Sequence, residues 1–572
     1  MDLAGCSSNR ALILNPARRL AVVIFLSLGV AAQQNSDALS GKAKDLAARQ
    51  HWREIVGLVE PVANRSANLD FYYADALAHL GKLQEAKRVF EEGHHLQPHD
   101  SRFLVELAGI SFKEKNYSTA VVDLRNALIL SPNDPYALNF LGTLYFLEGN
   151  LEAALKYWNR IQKPMLREVS SEPTPQLDPG FFDRAFAFSP ASVLRLPDFL
   201  TTEAEIEQLD IFPAYGFELQ AQPDGQFDVV FHNTEQDGCG FSKWECLLLA
   251  FQGLPEQMVS PKYFNFGHKD VNVSGLYRWD AQKRRIHGEI SGPLENQPKW
   301  RYSLEGDYRD ENWDIRHSFT GVAPVLASFK LLREGASANL RRIVNGRFKW
   351  YAAADFSHRD FRNTLAGLVL TPNLLAQGSE LKERAGIDAD LWHAPDRRMD
   401  LTAGGEEEMG RVWSQPADSF TKLQSSAKFR WFPQQVGDDY EIREQVHAGK
   451  SFGNVPFDEL YVAGVLGNAD LLMRGHIATR DGRNGSSPIG SNYFVSNFDF
   501  DKMAFQRAGL RARIGPFLDS GTLSGPTPGL GSHEWLFDTG VQAEAKFFGV
   551  GVALSYGRDL RSGNNAVTLR LQ

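Results

Sequence analysis

The sequence predicts an α+β multidomain chain: an N-terminal α-helical repeat solenoid, then a C-terminal antiparallel transmembrane β-barrel of about 16 strands. Three observations carry this. Residues between 69 and 162 repeat with a period of 34. From about residue 258 the apolar positions adopt a period of two. Beyond Ala32 no stretch is long and apolar enough to cross a bilayer as a helix, so a membrane-inserted mature chain has to cross with strands.

At 572 residues the chain has room for several domains. A formal charge of −9 and a pI near 5.9 argue against nucleic acid as the main partner. Aromatic residues at 11% and 49 glycines suit strands with aromatic girdles and many turns. Near the start, Arg18 and Arg19 precede thirteen apolar residues, Leu20 to Ala32, with small residues from Val30 onward. This reads as a cleaved secretory signal over residues 1–32, with an uncleaved anchor as the alternative; the stretch falls short of the ~20 residues of a spanning helix. Cys6 follows Leu3-Ala4-Gly5, a lipoprotein-like box, but lies ahead of the apolar stretch that such a signal needs. Cys239 and Cys246 can bridge in an oxidising compartment, two unpaired buried thiols being the alternative. Their spacing fits no zinc pattern, and neither a metal nor a cofactor is expected.

The repeats are assigned to residues 37–163. Tyr73, Leu107 and Leu141 are in step, as are Ala74, Ala108 and Gly142. Ala86, Ala120 and Ala154 form a third column, and Phe90, Leu124 and Trp158 a fourth. Pro98 and Pro132 end successive repeats, where a chain leaving a helix tolerates proline. Small residues let paired helices approach and a larger one in the next turn fills the gap. These columns resemble the tetratricopeptide repeat over about three copies, with a degenerate copy at Leu46 to Pro61 around Trp52, Ile55 and Val56. The resemblance implies a curved surface for docking a polypeptide client or a protein partner. His94, His95 and His99 read as solvated histidines at a helix end.

Residues 164–236 follow. The helical pattern fails from Pro164 to Ser171, Pro173 to Gly180 reads as a linker, and Leu196 to Asp210 as a helix. Phe217 to Gln222, Pro223-Asp224-Gly225 and Phe227 to Asn233 read as strand, turn and strand. Helices and a hairpin ahead of a barrel resemble a polypeptide-transport-associated domain, with a plain spacer as the alternative. From 258 to 572, Trp300, Tyr302, Leu304, Gly306 and Tyr308 alternate with Arg301, Ser303, Glu305, Asp307 and Arg309. Phe348, Trp350, Ala352, Ala354 and Phe356 behave alike, as do Val541, Ala543, Ala545 and Phe547. A soluble sandwich gives a similar alternation. The secretory signal and the recurrence of charge on one face of successive strands favour a barrel with a water-filled lumen in outer-membrane lipid. The final Gln572 departs from the terminal aromatic usual in such proteins.

Two late motifs narrow the reading. Leu472-Met473-Arg474-Gly475-His476 opens a Gly-, Asn- and Ser-rich stretch, and Gly515-Pro516-Phe517-Leu518-Asp519-Ser520-Gly521 ends an alternating run. Together they resemble the barrel superfamily of the BamA-type assembly factors and two-partner-secretion transporters. There a long loop carries an aliphatic-Arg-Gly-aromatic tetrad, and a later strand an aromatic-x-Asp-x-Gly motif. The resemblance implies that Arg474 and Gly475 form a loop tip folded into the lumen. Asp519 would receive the arginine, and Phe517 and Gly521 would shape the wall beside it. His476 departs from the aromatic of that tetrad; ordinary loop chemistry in a large barrel is the alternative. Guanidinium against carboxylate suits a latch that holds yet releases.

No nucleophile elbow, His-Glu-x-x-His or phosphate loop occurs, so no enzyme is expected. Asp355, His358 and Asp360 read as a solvated hairpin end and His533-Glu534 as an isolated pair. The expected function is an outer-membrane transporter or assembly factor that translocates or inserts polypeptides, with its repeats in the periplasm. An exopolysaccharide export porin, which also joins tetratricopeptide repeats to a barrel, is the alternative. An envelope scaffold is the third reading.

Overall fold

The computed structural model describes residues 38–240, 246–247, 253–254, 257–414, 418–465, 471–507, 510–532, 534–547 and 550–571. The expected signal at 1–32, His533 and Gln572 lie outside the described residues. Two compact units are present, one up to Leu147 and one from Glu148.

The first unit is helical: α1 (38–48), α2 (Trp52–Val59), α3 (Ala67–His79), α4 (Leu83–Leu96), α5 (Ser101–Lys113), α6 (Tyr117–Leu130) and α7 (Pro135–Leu147). Ser66, Asp100 and Asp134, each 34 residues after the last, place a side-chain oxygen on a backbone N–H of the helix that follows. Such caps satisfy donors that the first turn cannot. Gly81 and Lys115 adopt positive φ at equivalent turns. The expected packing residues Tyr73, Ala74, Ala86, Phe90, Leu107, Ala108, Ala120, Leu124, Leu141 and Gly142 are buried. Gly93 admits the Phe103 ring, which any Cβ would meet, and Phe103 packs edge-on to Phe71 and Phe90. His95 and His99 are exposed at the end of α4 and in the loop beyond it.

The second unit opens with α8 (Leu151–Trp158), capped by Asn150, with Ala154 and Trp158 buried. A β-α-α-β-β module follows: β1 (Leu166–Glu172), α9 (Pro179–Arg184), α10 (Leu196–Leu209), β2 (Ala214–Ala221) and β3 (Phe227–Thr234). β3 is central, parallel to β1 and antiparallel to β2. Its core joins Phe181, Ile206, Leu209, Phe212 and Phe231. The sequence pattern indicates no strand at Leu166–Glu172, and the linker expected at Pro173 to Gly180 runs into the first two residues of α9. Only Leu166 of that strand is fully buried, so it carries little apolar periodicity.

All the remaining strands but β15 and β18, which pair with each other, form a large, almost wholly antiparallel sheet. It starts with the short β4 (Met258–Val259) and β5 (Lys262–Tyr263), then β6 (Asn272–Asp280), β7 (Lys283–Leu294), β8 (Gln297–Ile315), β9 (Ala327–Asn345) and β10 (Phe348–Leu365). β11 (Gly378–Ala394), β12 (Met399–Trp413), β13 (Asp418–Trp431) and β14 (Tyr440–Gly453) come next. The connection 454–491 holds four short strands, β15 (Tyr461–Val462), β16 (Thr479–Arg480), β17 (Arg483–Asn484) and β18 (Ile489–Gly490). β19 (Asn492–Arg507), β20 (Leu510–Ser524), β21 (Leu536–Phe547), β22 (Val550–Asp559) and β23 (Asn565–Leu571) complete it. The hydrogen-bonded order returns on itself, so the sheet has an inside. Among the described residues, fourteen of these strands have seven or more residues.

Period-two alternation separates the faces. Leu304, Phe356, Ile387, Leu518 and Val541 are exposed outside, while Arg301, Arg359, Asp519 and Gln542 are buried inside. Glu295 and Asn296, both at positive φ, make the two-residue turn between β7 and β8. Long connections at 316–326, 366–377, 454–491 and 525–535 gather at one end and short turns at the other. Asp355, His358 and Asp360 lie within β10 and not at a hairpin end, because no turn residue interrupts that strand. Asp355 pairs with Arg384, whereas His358 meets Ser379 and Asp360 meets Arg362, so the three do not converge.

Candidate functional site: a loop anchored inside the barrel

The connection 454–491 turns inward and is held at three places. At its root, Pro456 leads a single turn, Phe457–Glu459. Phe457 enters an apolar cluster with Trp313, Phe329, Phe361 and Leu374 at the long-loop end of the lumen. The next two side chains are acidic and meet a cationic wall. Glu459 lies 2.8 Å from Arg333 of β9, 3.1 Å from Lys382 of β11 and 3.6 Å from Lys422 of β13. Asp458 lies 3.1 Å from Arg333 and 3.0 Å from Arg359 of β10. Glu380 adds a carboxylate to Arg359, and Glu408 one to Lys382 and Lys422. Four cations thus face four carboxylates.

The tip reverses this polarity. Arg474, buried, places Nε and Nη2 on Asp519 at 3.0 and 2.5 Å, while its own backbone N–H donates to the same carboxylate at 2.8 Å. Nη1 reaches Asp499 of β19 and Gln542 of β21, both at 2.6 Å. The guanidinium lies on the Phe517 ring, 3.8 Å from its centroid, in cation–π geometry. Asn497 ties Asp519 to the carbonyl of Leu472. The Gly475 N–H donates to Asp538 of β21 at 2.6 Å. Buried charges taken from water are stable only when every donor and lone pair is met, and breaking such a set costs about 3–5 kcal/mol. A third anchor joins Arg483 to Asp314 of β8 at 3.2 Å.

All five residues expected at the latch fall in this region, with one difference of role. Gly521 makes room for β19, since a Cβ there would meet the Phe494 carbonyl oxygen at 2.8 Å, and not for the loop. The glycine that admits the loop is Gly557 of β22, where a Cβ would fall on the Arg474 carbonyl. Asp458, Glu459, Asp499, Gln542 and Asp538 were not singled out from the sequence. Cys239 and Cys246 are disulfide-bonded. Among the described residues, His476, Asp538 and Asp559 have the spacing a metal ion would require. The two carboxylates face different ring nitrogens, however: Nδ1 is 3.0 Å from Asp538 and Nε2 is 3.8 Å from Asp559. That arrangement suits an imidazolium better than a ligand set.

At the opposite end, α8, α9 and α10 grip the short turns and the strand starts beside them. Arg184 and Gln208 donate to the carbonyls of Asn296 and Pro298, and Thr201 accepts from the Gly346 N–H. Asn150 donates to the Pro395 carbonyl, Lys156 and Tyr157 reach Asp396, and Glu148 accepts from Gln435. His393 sits between Glu152 at 2.7 Å and Asp400 at 2.6 Å. Beside this junction Glu203 of α10 is pushed up to about 8, by burial first and then by the charges of Glu152 and Glu207.

No protein-family model and no curated protein sequence matches the chain. In structure it is similar to BamA from Haemophilus ducreyi lacking POTRA domains 1–3 (TM-score 0.41, 12% identity, 71% of this chain and 83% of that one). It is similar also to CdiB from Escherichia coli (TM-score 0.47, 15% identity, 72% and 75%) and to CdiB from Acinetobacter baumannii (TM-score 0.44, 10% identity, 74% and 81%).

Proposed function

We propose that this chain is an outer-membrane transporter or assembly factor that carries polypeptides across, or inserts them into, the outer membrane. Its barrel belongs to the sixteen-strand class, its helices are tetratricopeptide repeats in the periplasm, and its β-α-α-β-β module is of the polypeptide-transport-associated kind. The observation that carries the reading is the inward loop whose buried Arg474 is bonded to Asp519, Asp499 and Gln542. A lumen occupied by a segment on ionic anchors suits a passage that opens for a client and recloses, with no cofactor. The repeats receive the client or a protein partner on their curved face. An export porin for polysaccharide needs a passage open to a hydrated chain, which a loop anchored at three places opposes.

The test compares the outer-membrane and secreted proteomes of cells with and without the gene. Loss of one or a few surface proteins, restored by wild type and not by Arg474→Ala, is the expected result. An unchanged proteome with altered surface polysaccharide sinks this reading and favours the export porin. No change in either favours an envelope scaffold.

A further inference from the structure

The tip anchor differs from the root in its charge balance. Around the tip, Asp499, Asp501, Asp519, Asp538, Glu544 and Asp559 face Arg474 from the loop, Arg443 from β14 and Arg570 from β23. Six carboxylates against three permanent cations leave a deficit that the root, at four against four, does not have. The remaining titratable group in the cage is His476. Its side chain is 12% exposed, and each ring nitrogen is turned to a carboxylate. A neutral imidazole has one N–H and one lone pair, so one of these carboxylates would face a lone pair. An imidazolium donates from Nδ1 to Asp538 at 3.0 Å and turns its second N–H toward the Asp559 carboxylate, 3.8 Å away, as a charge contact.

We propose that His476 is a positioning residue of the latch, held as an imidazolium between Asp538 and Asp559, so that seating the loop tip binds a proton. This rests on the reading of the loop as a releasable latch. The direction follows from linkage. A proton held more tightly in the seated state than in the released one stabilises seating at acidic pH. That stabilisation is lost as the ring deprotonates, so release is favoured on the alkaline side of an ordinary imidazole, near ~6.5. Asp538 also accepts the Gly475 N–H, so a change at the ring is felt at the residue joined to Arg474.

The experiment uses the full chain reconstituted in planar lipid bilayers, with opening frequency measured from pH 5.5 to 8.5 and folding checked by heat-modifiability on gels. Wild type is expected to open about tenfold more often at the alkaline end. His476→Phe is expected to be level across the range. Asp559→Asn, which removes the second negative charge facing the ring, moves the wild-type transition about one unit to lower pH. Should His476→Phe fail to fold, the wild-type profile and Asp559→Asn still decide. A level wild-type profile with Arg474→Ala open at every pH overturns the proton while keeping the latch. Arg474→Ala indistinguishable from wild type overturns the latch and this proposal with it. Opening provoked by EDTA at pH 5.5 also overturns the proposal, in favour of a bound metal ion at the same three side chains.

Discussion

At its root the inward loop offers two acids to a wall of arginines and lysines, whereas at its tip it offers an arginine and a histidine to a wall of aspartates. The opposite polarity fixes which end of the loop meets which wall, since exchanging the ends would set like charges together. The two anchors also differ in kind. The root spreads Asp458 and Glu459 over cations from β9, β10, β11 and β13, with an aromatic plug alongside. The tip concentrates on one guanidinium with every wall-facing donor used. A distributed anchor tolerates loss of one member; a concentrated one does not.

Substitutions can break that contrast. Arg474→Ala strands Asp519 without its cation, leaves Asp499 only the more distant Arg443, and is expected to cost the seated state about 3–5 kcal/mol. The readout is channel opening, raised about 100-fold or more. Gly557→Ala, which pushes a methyl group into the Arg474 carbonyl, is expected to cost about 1–3 kcal/mol by overpacking. It should free the tip to proteolysis while the root stays protected. Glu459→Gln, by contrast, leaves Asp458, Glu380 and Glu408 among the same cations, so opening should rise about tenfold or less. A larger effect than that of Arg474→Ala would reverse the ranking of the two anchors.

A smaller effect is expected at the module's junction. Glu203 gains a proton on folding that the unfolded chain has lost, because its value rises from the ordinary range to about 8. The folded state therefore binds more protons between these values, and module stability falls as pH climbs from about 5 to 8. Glu203→Gln should flatten that slope between about 7 and 8 in urea unfolding of the full chain, while Glu205 of the same helix, pushed up to about 7 by burial, keeps the part below. A slope that persists above about 7 in the variant assigns it to other groups.

What the sequence disclosed follows the same division. Arg474 and Asp519 were legible because each lies in a short motif. Asp499 and Gln542 were not, since only strand register carries them to Arg474. The root has no local signature: its cations at 333, 359, 382 and 422 come from four strands, and Asp458 and Glu459 resemble any acidic turn. In the helices the period of 34 gave the packing columns directly. The caps Ser66, Asp100 and Asp134 keep the same step and could have been read from it. β1 escaped notice because Leu166 is its sole fully buried residue.

The short turns that follow β7, β9, β11 and β13 are each bonded to α8, α9, α10 or their flanking residues. The loop's root is anchored on this same run of strands, and its tip on β19 to β22 across the lumen. Load applied to the module would therefore be delivered to one half of the cylinder, with the loop as a tie between the two halves. Under the proposed function, a force on the module would shear one half against the other, and the member first to feel it would be the single guanidinium at the loop's far end.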